Sequence, residues 1–152
     1  MRNFWIILLL TLIGTASACA PSSRTTADVP HDARASSPQD TGKAAIGVRT
    51  ARHMKVALLT ARQMLSGDGE YRADEVTIVA CGKGVPALKS DGDLADDIAS
   101  TQSLGAKIRA CGLTVEQMGL SPDALAEGVE VVPNGFVELI RLQSKGYYTI
   151  EL

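Results

Sequence analysis

The sequence is poor in aromatic residues and in histidine, and this scarcity excludes several classes of function. Phe, Trp and Tyr make up 4% of the 152 residues, too few for a platform on which bases stack. Two histidines, His31 and His53, do not supply a typical zinc site. No long run of one charge sign occurs, and the net charge is −2. We therefore expect no metal, no other cofactor and no nucleic-acid partner.

Long hydrophobic runs are missing as well, except for one near the N-terminus. Residues 4–13 form that run, after Arg2 and before the small residues 14–18. This order of a basic, an apolar and a small-residue region is typical of a secretory signal peptide. The run is shorter than the roughly 20 residues of a membrane-spanning helix. The sequence therefore predicts a signal peptide over residues 1–18, with an uncleaved anchor as the alternative.

Cys19 follows this segment directly. Residues 16–19, Ala-Ser-Ala-Cys, resemble the lipobox of bacterial lipoproteins, in which the cysteine is diacylated and becomes the new N-terminus. Ala16 stands where leucine is usual, and residues 16–18 also fit an ordinary A-x-A cleavage site, so both processing routes stay open. A lipid on Cys19 would anchor the chain without spanning the bilayer. We expect an exported, lipid-anchored protein of the bacterial cell envelope that faces the periplasm.

The residues after Cys19 have the composition of a tether. Residues 20–42 are rich in Ser, Thr, Pro, Ala and Asp, and Val29 is their only large aliphatic side chain. Such a segment buries too little apolar surface to offset the entropy of ordering it. We predict a lipidated cysteine and disordered tether over residues 19–42, and one folded domain over residues 43–152.

Hydrophobic periodicity in that domain alternates between the strand and the helix type. The nearly continuous apolar run 76–81 is typical of a strand buried on both faces of a parallel sheet. The alternation predicts a three-layer α/β/α fold, flavodoxin-like in general architecture, with a mainly parallel five-stranded sheet. The predicted strands are 43–50, 76–81, 107–111, 129–132 and 147–150. The predicted helices are 53–66, 93–105, short ones begun by a capping box at Thr114 and by Ser121-Pro122, and one from Asn134 to Gly146.

Two cysteines, Cys81 and Cys111, each end a predicted strand and precede a glycine and a helix start. In parallel sheets, reactive groups lie beyond the carboxyl ends of the strands. Helix N-termini and nearby cations, here Lys83, Lys107 and Arg109, lower thiol pKa values. Both cysteines are therefore candidate catalytic residues. The alternatives are two buried apolar cysteines or a structural disulfide, which an exported protein allows.

From about residue 76 to the C-terminus, the chain resembles the DsrE/DsrF-like family of sulfur-handling proteins, in particular its small, single-domain, signal-peptide-bearing branch. The resemblance depends on residues 81–88, 108–112 and 128–147. It implies a DsrE-like fold, a homo-oligomer and a protein donor or acceptor of sulfur. It also implies that Cys111 carries sulfur as a persulfide, whereas the branch has histidine at the position of Cys81.

Two hypotheses follow for the function. In the first, the protein is a sulfurtransferase-like persulfide carrier or thiol-redox protein, in which Cys111 accepts sulfur and Cys81 resolves it or pairs with it. In the second, it is a non-catalytic lipoprotein that binds a ligand or a partner, and its cysteines are structural.

Overall fold

The computed structural model describes residues 42–152. The predicted signal peptide, the lipidation site at Cys19 and the predicted tether up to Thr41 lie outside the described residues and stay predictions. Within residues 42–152, no helix is both long enough and apolar enough to cross a membrane.

Strands and helices alternate along the described chain, as the hydrophobic pattern predicts. Two predicted strands, 107–111 and 129–132, agree with the structure to the residue, and the second strand extends beyond its prediction at both ends. The elements in chain order are β1 (Gly42–Thr50), α1 (Ala51–Ser66), β2 (Ala73–Lys83), a 3-10 helix (Val85–Leu88), α2 (Ala95–Ser103), β3 (Lys107–Cys111), α3 (Gly112–Gln117), a 3-10 helix (Pro122–Ala124), β4 (Val129–Val132), α4 (Gly135–Ser144) and β5 (Tyr148–Glu151).

The predicted capping box at Thr114 is wrong. Helix α3 begins two residues earlier, directly after β3, with Cys111 as its N-cap. Thr114 lies inside the helix and is buried, and its Oγ1 accepts a hydrogen bond from the Gly82 N–H. The predicted cap at Asn134 is confirmed, because its Oδ1 accepts hydrogen bonds from the N–H groups of Phe136 and Val137. Asn134 thereby fixes where α4 begins.

The five strands form one parallel sheet in the order β4-β3-β2-β1-β5. The chain moves from β1 to β4 in one direction and then crosses to the opposite edge to form β5. Since such crossovers are right-handed, this reversal puts the last helix on the face opposite the earlier ones. Helix α1 accordingly packs on β1, β2 and α2, whereas α4 contacts β1, β2, β3 and β5. The predicted three-layer architecture is confirmed, and the sheet is wholly parallel.

Two apolar clusters lie on the two faces of the sheet. The larger one fills the space beneath α1 and α2 and includes Ile46, Met54, Leu58, Ile78 and Ile108. The smaller one lies beneath α4. Its members are Ala45, Val79, Cys81, Cys111, Leu139, Leu142 and Tyr147. Both cysteines of the domain therefore lie on the α4 face.

Candidate functional site

The two cysteines are neighbours across adjacent strands. Ala80 of β2 pairs with Ala110 of β3, and Cys81 and Cys111 are the next residues along each strand. Adjacent strands lie about 4.8 Å apart, which falls within the Cα separation of about 4.4–6.8 Å that a disulfide requires. Both are free thiols in the structure. Strand order, which the sequence leaves open, thus brings the two predicted site residues together.

The first residue of α4 lies directly over both thiols. A Cβ added at Gly135 would come within 3.0 Å of the Cys81 Sγ and would lie 3.1 Å from the Cys111 Cβ. The backbone of α4 therefore reaches the sulfur atoms only because this residue has no side chain. This close approach leaves Cys81 and Cys111 only 4% and 3% exposed.

The Cys111 sulfur is surrounded by groups that stabilise a negative charge. The Gly135 N–H at the start of α4 donates to the Cys111 Sγ at 3.2 Å. Thr114 and the thiol of Cys81 also favour the charged form of this sulfur. Burial by itself raises the pKa of the Cys111 thiol, but these groups outweigh it, so the pKa lies below its usual value. The arrangement favours the thiolate, which is the nucleophilic form of cysteine.

The Thr114 hydroxyl is oriented by a hydrogen bond. It accepts from the Gly82 N–H at 3.1 Å, and it contributes to lowering the pKa of the Cys111 thiol. Gly82 has a φ of 51°, a left-handed conformation that favours glycine. Gly82, which follows Cys81 in the chain, therefore affects the pKa of Cys111 by orienting the Thr114 hydroxyl.

Cys81 has the opposite electrostatic environment. Burial and the neighbouring Cys111 together raise the pKa of its thiol to about 12, and the Arg49 guanidinium partly offsets these effects. The two groups titrate as a coupled pair. As the pH rises, the pair therefore loses its first proton from Cys111, while Cys81 stays protonated.

Arg49 is a cation at the site that the sequence does not single out. It is the last residue but one of β1, which neighbours β2, and its guanidinium lies 5.6 Å from the ring centroid of Phe136 in the first turn of α4. Two of the three cations expected from the sequence have other partners: Arg109 pairs with Glu130 and Glu138, and Lys107 lies 3.7 Å from Glu75.

An ion-pair network holds the middle of α4 on β3. Glu138 of α4 is 7% exposed and lies between Arg109 of β3 and Arg141 one turn further along. The Arg141 Nε donates to Glu138 at 2.7 Å, and the Arg109 Nε donates to Glu130 of β4 at 2.9 Å. Because the same helix begins over the two thiols, this network also fixes the position of the Gly135 N–H.

No metal centre is evident in residues 42–152, where no three His, Cys, Asp or Glu side chains are grouped closely enough to hold an ion. A cavity of about 680 Å³ lies beside the start of α1, lined in part by Arg52, Lys55 and Lys89. It contains neither cysteine. The candidate reactive groups of the described residues are therefore the two thiols, which lie at the carboxyl side of β2 and β3 beneath α4.

The sequence matches the DsrE/DsrF-like family over residues 33–152. Among curated proteins, no sequence matches the chain significantly.

Two solved structures share the fold. One is protein MTH1491 of Methanobacterium thermoautotrophicum, described as of unknown function. It is 24% identical, with a TM-score of 0.66 over 73% of this chain and 99% of that one. The other is the conserved protein BT1422 of Bacteroides thetaiotaomicron, also described as of unknown function. It is 15% identical, with a TM-score of 0.54 over 72% of this chain and 95% of that one. At these identities the likeness establishes the fold alone.

Proposed function

Because the chain belongs to the DsrE/DsrF-like family, we propose that it handles sulfane sulfur and that Cys111 accepts a sulfur atom as a persulfide. One observation carries the proposal: the Cys111 Sγ, buried at the carboxyl end of β3, accepts a hydrogen bond from the first N–H of α4 at 3.2 Å. A helix N-terminus and converging N–H and O–H donors stabilise a thiolate there.

Sulfur transfer by Cys111 needs a nucleophile and no cofactor. The Cys111 thiolate attacks the outer sulfur of a donor persulfide, R–S–SH. The bond between the two donor sulfurs breaks, the donor leaves as R–S⁻, and Cys111 holds the outer sulfur as Cys111–S–SH. An acceptor thiolate that attacks this outer sulfur reverses the step. The same hydrogen bonds then help, because a thiol of low pKa is also the better leaving group.

Burial of the site restricts what it accepts. Both thiols are almost fully covered, and the backbone of α4 is in contact with them. A persulfide adds a single atom to Cys111, whereas an acyl or sugar group would add several atoms to a residue that is only 3% exposed. The close packing thus favours single-sulfur transfer over bulkier thiol chemistry.

The export and assembly of the protein are part of the same proposal. Cys19 carries a lipid that anchors the protein in the bacterial envelope, facing the periplasm; the support is the likeness of residues 16–19 to a lipobox. The domain forms a homo-oligomer. Phe136, Val137 and Ile140 are exposed together along α4, and an exposed apolar patch of this kind is typical of an interface.

The second hypothesis, a binding lipoprotein with structural cysteines, is supported by the burial of both thiols and by a strand spacing that suits a disulfide. It differs from the first in a measurable property. Structural thiols react only after the domain unfolds, whereas a carrier thiol reacts in the native protein.

The experiment compares the reduced wild type with Cys111→Ser and Cys81→Ser. Each protein is treated with a low-molecular-mass persulfide, trapped rapidly with an alkylating reagent and mapped by peptide mass spectrometry. We expect one added sulfur atom on the Cys111 peptide of the wild type and of Cys81→Ser, and none in Cys111→Ser. Equal labelling of the two variants, or no sulfur on any peptide, would refute the proposal.

A further inference from the structure

Cys81 is the nucleophile placed next to the sulfur that would store the persulfide. We propose that Cys81 attacks the Cys111 persulfide, so that the protein releases the sulfur as hydrogen sulfide and closes a Cys81–Cys111 disulfide. This inference rests on the function proposed above. It turns a carrier into a persulfide reductase whose turnover depends on a dithiol.

Strand register determines which sulfur Cys81 meets. Cys81 and Cys111 lie side by side on neighbouring parallel strands, and both side chains belong to the cluster beneath α4. The Cys81 thiol is close enough to the Cys111 Sγ for each group to shift the pKa of the other. In a persulfide that atom becomes the inner sulfur, so attack by Cys81 joins the two cysteines and expels the outer sulfur.

The step balances without any other reactant. The Cys81 sulfur forms a bond to the Cys111 Sγ, and the bond between Sγ and the outer sulfur breaks. The outer sulfur leaves with the electron pair as HS⁻ and takes up the Cys81 proton, giving H₂S. The sulfane sulfur is reduced by two electrons, and the two cysteine thiols are oxidised to a disulfide.

Geometry favours this internal step over transfer to an external thiol. The strand spacing of about 4.8 Å suits disulfide closure, so the strands need not move apart or slide. A thiol held this close to the persulfide reacts as if it were present at a very high local concentration. The Arg49 guanidinium at the end of β1 favours the thiolate form of Cys81 during attack.

A dithiol closes the cycle. It reduces the Cys81–Cys111 disulfide by thiol–disulfide exchange and becomes a disulfide itself. The net reaction converts R–S–SH and a dithiol into R–SH, H₂S and a disulfide. The partner is therefore a small dithiol or a protein with paired thiols, and without it the protein stops after one turnover.

The test follows the wild type and the variants Cys81→Ser and Cys81→Ala without oxygen or reductant after addition of a low-molecular-mass persulfide. A sulfide electrode measures release, and peptide mapping measures the Cys111 persulfide and the Cys81–Cys111 disulfide. We expect the wild type to release one equivalent of sulfide, to form the disulfide and then to stop, until dithiothreitol restarts release. In both variants the persulfide should persist for about a hundredfold longer or more.

The outcomes separate this inference from the function on which it rests. If the wild-type persulfide persists as long as that of the variants and no disulfide forms, the reductase step is wrong and the carrier function stands. If Cys111 gains no sulfur in the wild type or in either variant, the carrier function and the reductase step both fall. Two variants at Cys81 ensure that poor folding of one does not decide the result.

Discussion

Replacing Gly135 by alanine is expected to force a methyl group against the buried thiols. The added Cβ would come within 3.0 Å of the Cys81 Sγ and would lie 3.1 and 3.2 Å from atoms of Cys111 and Val79. Carbon atoms in good contact are about 3.5–4.0 Å apart, so the helix start or the strand must move. Gly135 has no positive φ, so backbone strain does not contribute and the cost is one of space.

The contact distances give the size of this effect. Overpacking of a well-packed interior costs about 1–3 kcal/mol, and the close approach to the Cys81 Sγ puts Gly135→Ala in the upper half of that range. Cys81→Ala removes this sulfur and leaves only the two contacts beyond 3.0 Å. In the Cys81→Ala background, Gly135→Ala should therefore lower the free energy of unfolding by less than about 1 kcal/mol. A coupling energy of about 1–2 kcal/mol between the two positions is the expected result.

Urea unfolding of the two single variants, the double variant and the wild type measures this coupling. Gly69→Ala is the matched control, since its Cβ would meet only the backbone of Tyr71 at 3.9 Å; it should change stability by no more than about 0.5 kcal/mol. The reasoning is refuted if Gly135→Ala is as stable as the wild type, or if it costs the same with and without the Cys81 sulfur.

Three further predictions concern charge. Thr114→Val removes a hydroxyl that lowers the pKa of the Cys111 thiol and should move the midpoint of its pH-dependent alkylation upward. The Cys81 pKa is raised from 9.0 to about 12, so protonated Cys81 stabilises the fold below pH 9.0. That stability is lost as the pH rises through about 12. Urea unfolding between these pH values should show a larger loss of unfolding free energy for the wild type than for Cys81→Ala. Glu138→Gln should cost about 3 kcal/mol, and Glu130→Gln, with a side chain 61% exposed, under about 1 kcal/mol.

Each of these predictions has a result that contradicts it. For the alkylation midpoint the control is Thr101→Val, whose hydroxyl bonds to the Asp97 carbonyl oxygen on the other face of the sheet; equal shifts in both variants would remove the role of Thr114. If the stability of the wild type and of Cys81→Ala changes in parallel with pH, protonation of Cys81 does not stabilise the fold. Equal losses in the two glutamate variants, measured by urea unfolding, would mean that burial of the ion pair is unimportant.

Much of the fold follows from local patterns. The apolar run of β2, the strand end at Cys111 and the Asn134 cap depend on nearby residues, and each was predictable, whereas β2 runs two residues past its predicted end at Cys81. The start of α3 was not predictable, because the Thr114 hydroxyl accepts a hydrogen bond from the distant Gly82 N–H and does not cap a helix of its own, while α3 begins directly after Cys111.

The site depends more on tertiary structure than the fold does. Strand order decides that β2 and β3 are neighbours, and only then do the two thiols meet. The crossover from β4 to β5 puts the start of α4 over them, which is why Gly135 and Arg49 carry no recognisable signal in the sequence. The cations close to Cys111 in sequence, Lys107 and Arg109, have carboxylate partners instead.

The site depends on one difference between its two thiols: Cys111 ionises more readily, and Cys81 stays protonated. The first measurement is to treat the reduced, native protein at neutral pH with less than one equivalent of iodoacetamide and to map the label. We expect the label on the Cys111 peptide, and we expect denaturation to remove the preference over Cys81. Equal labelling of the two native thiols, or labelling of either only after denaturation, would contradict this expectation, and the second result would make both cysteines structural.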